Sequence, residues 1–171
     1  LKSLLTWLEK MTLFARALVL TISLCGLTFS APIVAQTNPS ASDDACRIVL
    51  TLDDVPRFKV PEIIIPSQCS TFTVALDHIG RLPKSATGHN WVLVATPDLN
   101  AVTREGLKAG VTSHFVKPSD TRVLAHTPII GGGEQAEVTF STSILIPETT
   151  YTYLSTVDGQ SANMRGVIRR P

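Results

Sequence analysis

Basic residues never run longer than a pair in this chain of 171 residues, and only 17% of its residues are charged. The electrostatic footprint for nucleic acid or an acidic surface is therefore missing. Long apolar runs are scarce as well. ALVLTISLCGLTF, after Arg16, has about a dozen residues, short of the roughly 20 that a transmembrane helix needs. No internal repeat or low-complexity tract is present, which excludes a solenoid. Cysteine occurs only three times and histidine four, so any metal or redox chemistry must come from a handful of residues.

What is present begins with a leader. From Met11, MTLFAR supplies Arg16, the apolar run follows, and SAPIVAQ ends it with small residues at Ala31 and Ala35. This is the pattern of a secretory signal peptide cleaved near Ala35. LKSLLTWLEK, before Met11, is either an overlong start or an extension of the leader. Residues 1–35 are accordingly set aside, 36–44 form a polar linker, and 45–171 carry the working domain. Loss of Lys2, Glu9, Lys10 and Arg16 leaves 12 basic and 13 acidic residues, a nearly neutral secreted protein.

Cys25 lies inside the leader, where bulky Leu24 argues against lipid attachment. Cys46 and Cys69 remain, 23 residues apart in a chain bound for an oxidising compartment, and are read as one structural disulfide. A redox-active or metal-binding pair usually has closer spacing.

Beyond the linker the pattern is one of short strands. IVLTL, EIIIP, TFTVALD, NWVLVAT, TRVLAHT, AEVTFST, TYTYLST and MRGVIR are rich in branched or aromatic residues and are divided by Gly, Pro, Asn or Asp. Together they predict an all-β, two-sheet antiparallel sandwich of about eight strands. Pro97 to Gly110 is the exception, a short helix with Ala101, Val102 and Leu107 on its apolar side. GGGE, Gly131 to Glu134, lacks the lysine of a phosphate loop and reads as a turn. Trp91 reads as core.

Among the histidines, His89 stands out, because GHNWVLV places it after a glycine at the mouth of an apolar strand. RLPKSATGHNWVL, Arg81 to Leu93, and VKPSDTRVLAHTPIIGGGE, Val116 to Glu134, resemble the azurins, periplasmic blue-copper proteins of the cupredoxin fold. The resemblance runs from about Ala45 to Arg169 and includes the Cys46/Cys69 spacing. It implies a Greek-key sandwich with one helix inserted outside the barrel, and a location in the periplasm.

The resemblance also implies a copper site at one end of the sandwich, with Gly88 and His89 as ligands from one strand, Asn90 fixing the ligand loop, and Met164 as axial ligand from the closing loop. Ser155 stands at the cysteine position of that loop and Gln160 at the position of the second histidine. Copper is the cofactor the family implies, but a serine hydroxyl and a glutamine carbonyl are poor replacements for a thiolate and an imidazole. The docking rim changes in the same direction, with Thr87, Asp158 and Asn163 making it polar. His78 and His126 match family histidines that are not ligands, and His114 has no counterpart. Ser155 and His89 with Asp158 nearby could suggest a nucleophile and base, but no oxyanion hole or orienting carboxylate is identifiable, so no enzyme is expected. The expectation is a periplasmic azurin-like protein that binds a protein partner or holds Cu(I) weakly. The alternative is a copper electron-transfer protein with a modified ligand set. In either case Ser155 and Gln160 are expected to form a hydrogen-bonded cluster with His89 and Asn90.

Overall fold

A computed structural model describes residues 45–171, so the leader and linker expected over 1–44 lie outside the described residues. Eight strands form two sheets: β1 (Arg47–Leu52), β2 (Glu62–Ile64), β3 (Thr71–His78), β4 (Val92–Ala95), β5 (Val123–His126), β6 (Gln135–Ser141), β7 (Tyr151–Leu154) and β8 (Arg165–Arg169). One sheet has the order β1-β3-β6, the other β2-β8-β7-β4-β5. Alternation of side chains explains β1, β3 and β8, which have one face in the core. Leu50 and Leu52 of β1, Phe72, Val74 and Leu76 of β3, and Ile168 of β8 are buried between the sheets, while Val49, Thr71 and Arg169 face outward.

β4 and β7 do not alternate, because both of their faces are covered. Leu93 and Tyr153 join the core between the sheets, whereas Val92, Val94 and Leu154 pack with Val102 and Val116 in a second apolar cluster. Val102 belongs to a helix that lies over this face, so the near-continuous apolar run NWVLV follows from burial on two sides. Among the described residues two α-helices are present, α1 (Lys84–Thr87) and α2 (Leu99–Ala109). α2 is the helix expected from the sequence, and it stops at Gly110, whose φ of 71° is left-handed. It packs through Val102 and Gly106, whereas Leu107 is exposed. The backbone of Phe115 approaches so closely that a Cβ at Gly106 would lie 2.2 Å from the Phe115 carbonyl oxygen. α1 is a single turn in which the Pro83 carbonyl accepts from the Ala86 and Thr87 amides.

The sheets differ from the antiparallel arrangement expected of them in two pairings. β1 runs parallel to β3, and β2 runs parallel to β8. Side-chain alternation reports which face is buried and is silent on strand direction, so the order of the crossovers could not be read from it. The remaining four pairings are antiparallel.

The Cys46–Cys69 disulfide is present, with Cα atoms 5.6 Å apart. It ties the start of β1 in one sheet to the loop that follows β2 in the other. Trp91 is fully buried and stacks against Tyr153 and Phe140 at centroid separations of 5.9 and 6.1 Å. The Tyr153 hydroxyl donates to the Val60 carbonyl, and burial pushes its pKa up to about 12. Gly131 to Glu134 is a turn, in which the Glu134 amide donates to the Gly131 carbonyl and the Gly131 amide to the Glu134 carboxylate.

Candidate metal centre

Strand register brings the candidate residues together. β4 pairs antiparallel with β7, Val92 opposite Leu154, so the chain entering β4 lies beside the chain leaving β7. β7 pairs with β8, Leu154 opposite Arg165, and the ladder continues one step as the Ser155 amide donates to the Met164 carbonyl at 2.9 Å. Gly88, His89, Asn90, Ser155, Gln160 and Met164 thus gather at one end of the sandwich, all buried. Between Ser155 and Met164 the chain folds into a tight turn. Gly159 supplies a left-handed φ of 74°, the Gln160 amide donates to the Val157 carbonyl, and the Met164 amide returns to the Gln160 carbonyl.

Gln160 is the centre of a buried polar network. Its Nε2 donates to the Gly88 carbonyl at 2.9 Å. Its Oε1 accepts from Ser155 Oγ at 2.8 Å and lies 3.0 Å from Nδ1 of His89. Ser155 Oγ also lies 3.1 Å from Asn90 Oδ1, which accepts the Thr156 amide at 2.9 Å. Asn90 Nδ2 donates to the His114 carbonyl at 2.7 Å and to Thr156 Oγ1 at 2.9 Å. The expected cluster of Ser155 and Gln160 with His89 and Asn90 is therefore formed, and each of its polar side chains has a partner.

His89 is held on every side. Its backbone pairs in both directions with Ile130, and its Nε2 sits 3.1 Å from the Asp53 carbonyl oxygen. The ring stacks on His78, with centroids 5.0 Å apart and planes inclined by 19°. His78 is itself fully buried, and its Nδ1 accepts the Gly80 amide at 3.2 Å. Gly88 permits a close approach, since a Cβ there would lie 2.3 Å from the Lys84 carbonyl oxygen. Thr87, just before it, donates to Asp54, whose carboxylate also accepts the Arg81 and Leu82 amides. The Arg81 amide is the leading cause holding the Asp54 carboxyl below the usual carboxylate range. The neighbouring Asp53 carboxyl is lowered chiefly by its hydrogen bond to Lys59. Asp158 and Asn163 are exposed on the turn, and Asp158 takes no part in the network described above.

His114 and His126 stand apart from the cluster as exposed residues, although the backbone of His114 serves Asn90 and its Nδ1 accepts the Ile129 amide. Sequence reasoning missed Asp53 and Thr156. Asp53 contributes through a backbone carbonyl, which leaves no trace in residue type. Thr156, whose Oγ1 donates to the Phe115 carbonyl at 2.7 Å, ties Asn90 to the loop after α2. Its position next to Ser155 was the available signal.

The profile of the copper-binding proteins of the plastocyanin/azurin family matches residues 47–169, nearly all of the described chain. The chain belongs to this family. It is 41% identical over 125 residues to azurin iso-2 of Methylomonas sp. strain J, covering 73% of this chain and 97% of that protein. It is 40% identical to the azurin of Achromobacter denitrificans, over 72% of this chain and 83% of the relative. The solved structure of the Methylomonas azurin iso-2 superposes with a TM-score of 0.71 at 40% identity, covering 74% of this chain and 98% of that one. The eight-stranded sandwich with α2 outside it is thus the cupredoxin fold. Among the described residues no helix is long and apolar enough to cross a membrane.

Proposed function

We propose that this plastocyanin/azurin family member is a periplasmic protein that has given up blue-copper electron transfer and works as a partner-binding or weak Cu(I)-binding protein. Gly88, His89 and Met164 are the retained ligand positions, Ser155 and Gln160 the lost ones, and Asn90 the residue that braces the ligand loop. The observation that carries this reading is the side chain of Gln160, bonded at once to His89 Nδ1, Ser155 Oγ and the Gly88 carbonyl.

The residues do not fit the family's copper. A blue site rests on a thiolate and two imidazoles with a weak axial ligand. The corresponding donors here are one imidazole, a thioether, a neutral hydroxyl and a backbone carbonyl. Both ring nitrogens of His89 already face oxygen atoms, and the Gly88 carbonyl already accepts a hydrogen bond, so Cu(II) would have to displace the network as well as tolerate hard, neutral donors. Cu(I), which takes thioether and imidazole ligands, faces the same network but less mismatch of ligand type. The chain is not an enzyme in this reading. Ser155 Oγ has one proton to share between Asn90 Oδ1 and Gln160 Oε1 and has no bond to His89, so no nucleophile–base pair forms part of the network.

Titration of the purified protein with Cu(II) tests the proposal. No intense visible thiolate-type band is expected, and such a band would overturn it. The second reading, a copper electron carrier with a modified ligand set, draws on the retained Gly88, His89 and Met164 and on the identity to azurins. A reversible Cu(II)/Cu(I) couple in voltammetry, with electron exchange to a cytochrome, would favour it.

A further inference from the structure

The turn that closes the candidate metal centre contains an Asp–Gly pair whose chemistry the polar network does not use. Asp158 and Gly159 are both exposed, while Gln160, the next residue, is buried. Among the described residues Asp158 forms no ion pair, so its carboxylate is free to turn back on its own backbone. The Gly159 amide is uncommitted as well, since no backbone carbonyl among the described residues accepts it. Glycine also leaves that amide unshielded, because a Cβ at Gly159 would have nothing beyond its chain neighbours within 4 Å.

A free aspartyl side chain beside a bare amide can close a five-membered ring. The Gly159 nitrogen attacks the side-chain carboxyl carbon of Asp158, a C–N bond forms, and the amide proton leaves with the carboxyl hydroxyl as water. Water then reopens the cyclic imide. Opening at the side-chain carbonyl restores aspartate, whereas opening at the main-chain carbonyl leaves isoaspartate, in which the chain runs through the former side chain. No oxidant or cofactor enters, and the water lost is the water regained. Isoaspartate adds one methylene to the main chain, roughly 1.5 Å of bond. It does so inside the turn that the Gln160 amide closes on the Val157 carbonyl at 3.0 Å. An N–H···O bond holds to about 3.2 Å, so half of the added length is enough to break this one. Gln160 follows directly, and its side chain holds the Gly88 carbonyl, Ser155 Oγ and the face of His89 Nδ1.

We propose that Asp158 is a site of spontaneous isoaspartate formation, and that this modification releases Gln160 from the buried network. The coupling runs both ways, because the turn that the ring must distort is anchored by the Gln160 side chain. None of this depends on whether the centre takes copper. The test ages the purified protein in neutral buffer and reads isoaspartate by peptide mapping and by methyl transfer from S-adenosylmethionine with an isoaspartyl methyltransferase. Isoaspartate is expected to accumulate at Asp158, and the isoaspartyl fraction is expected to unfold at a lower urea concentration than fresh protein. Asp158→Ser, which cannot form the imide, should age without that shift. Gln160→Ala, which frees the turn, should accumulate isoaspartate faster than the parent. Aged protein with no isoaspartate at Asp158 overturns the proposal. So does an isoaspartyl form that keeps the parent's midpoint, an Asp158→Ser protein that shifts as the parent does, or a Gln160→Ala protein that ages no faster.

Discussion

Nδ1 of His89 and the side-chain oxygen of Gln160 lie 3.0 Å apart, and the same oxygen accepts from Ser155 Oγ at 2.8 Å. The same amide holds the Gly88 carbonyl, so one side chain satisfies the groups that converge there. Truncation of Gln160 therefore has a larger effect than truncation of Ser155. Gln160→Ala leaves His89 Nδ1 and the Gly88 carbonyl short of a partner while Ser155 Oγ keeps Asn90 Oδ1, and buried polar groups left unpaired cost ~1–3 kcal/mol each. In Ser155→Ala, Asn90 Oδ1 keeps the Thr156 amide and Gln160 Oε1 keeps His89, so a loss of about 1 kcal/mol is expected. Urea denaturation midpoints of the two variants read the order directly, and equal midpoints would show that Gln160 is not the centre of the network.

Gly106→Ala sets two opposed effects against each other. Alanine gains ~0.8–1.0 kcal/mol over glycine in a helix interior. The added Cβ, however, would lie 2.2 Å from the Phe115 carbonyl oxygen, a contact that forces α2 or the loop to move. Overpacking of this kind costs ~1–3 kcal/mol, so net destabilisation is expected. The same carbonyl accepts Thr156 Oγ1, and Thr156 is bonded to Asn90, so the displacement reaches the polar cluster. A lowered melting temperature is the expected readout; a raised one would mean that helix propensity wins.

Folding is expected not to depend on metal. The sandwich has its own core and a disulfide that joins the start of β1 to the loop between β2 and β3. A chelator should leave the melting temperature unchanged. Reduction of Cys46–Cys69 should lower stability by roughly 3 kcal/mol on the chain-entropy estimate for a loop of this size. A large chelator effect would show a metal holding the fold together.

Tyr153 gives the fold an alkaline limit. Its pKa rises from 10.0 to about 12 because burial disfavours the phenolate. The folded state thus holds this proton more tightly than the unfolded chain does. The resulting stability is complete below pH 10, declines as the unfolded tyrosine ionises, and is lost as pH passes 12. Denaturation midpoints should fall over that window, and Tyr153→Phe should flatten the decline while lowering stability at neutral pH through loss of the bond to Val60.

Much of the fold was legible because burial imprints a period on the chain. Leu50 and Leu52, or Phe72 and Val74, announce a strand with one wet face, and Gly110 announces where α2 stops. The parallel pairings of β1 with β3 and β2 with β8 were not legible, since they join segments whose direction depends on how the chain crosses between sheets. Leu107 looked like part of the helix's apolar side because it is apolar, but backbone proximity selected Gly106 for the contact. At the candidate metal centre, residue types and the likeness to azurins singled out Gly88, His89, Asn90, Ser155, Gln160 and Met164, which the fold gathers at one end of the sandwich. They could not reveal the Asp53 carbonyl on His89, nor that His78, expected to be structural, stacks directly on the His89 ring.

The most direct test is a Cu(II) titration of the purified protein beside the combined variant Ser155→Cys with Gln160→His, followed by visible absorption. The parent should stay colourless, because on the proposed reading a hydroxyl and an amide stand where a thiolate and an imidazole would make such a site blue. On the proposed reading the double variant should turn intensely blue, since Gly88, His89 and Met164 gather with both substituted positions at one end of the sandwich. A blue parent would contradict the loss of the copper site, and a double variant that binds copper without the colour would contradict the preserved frame.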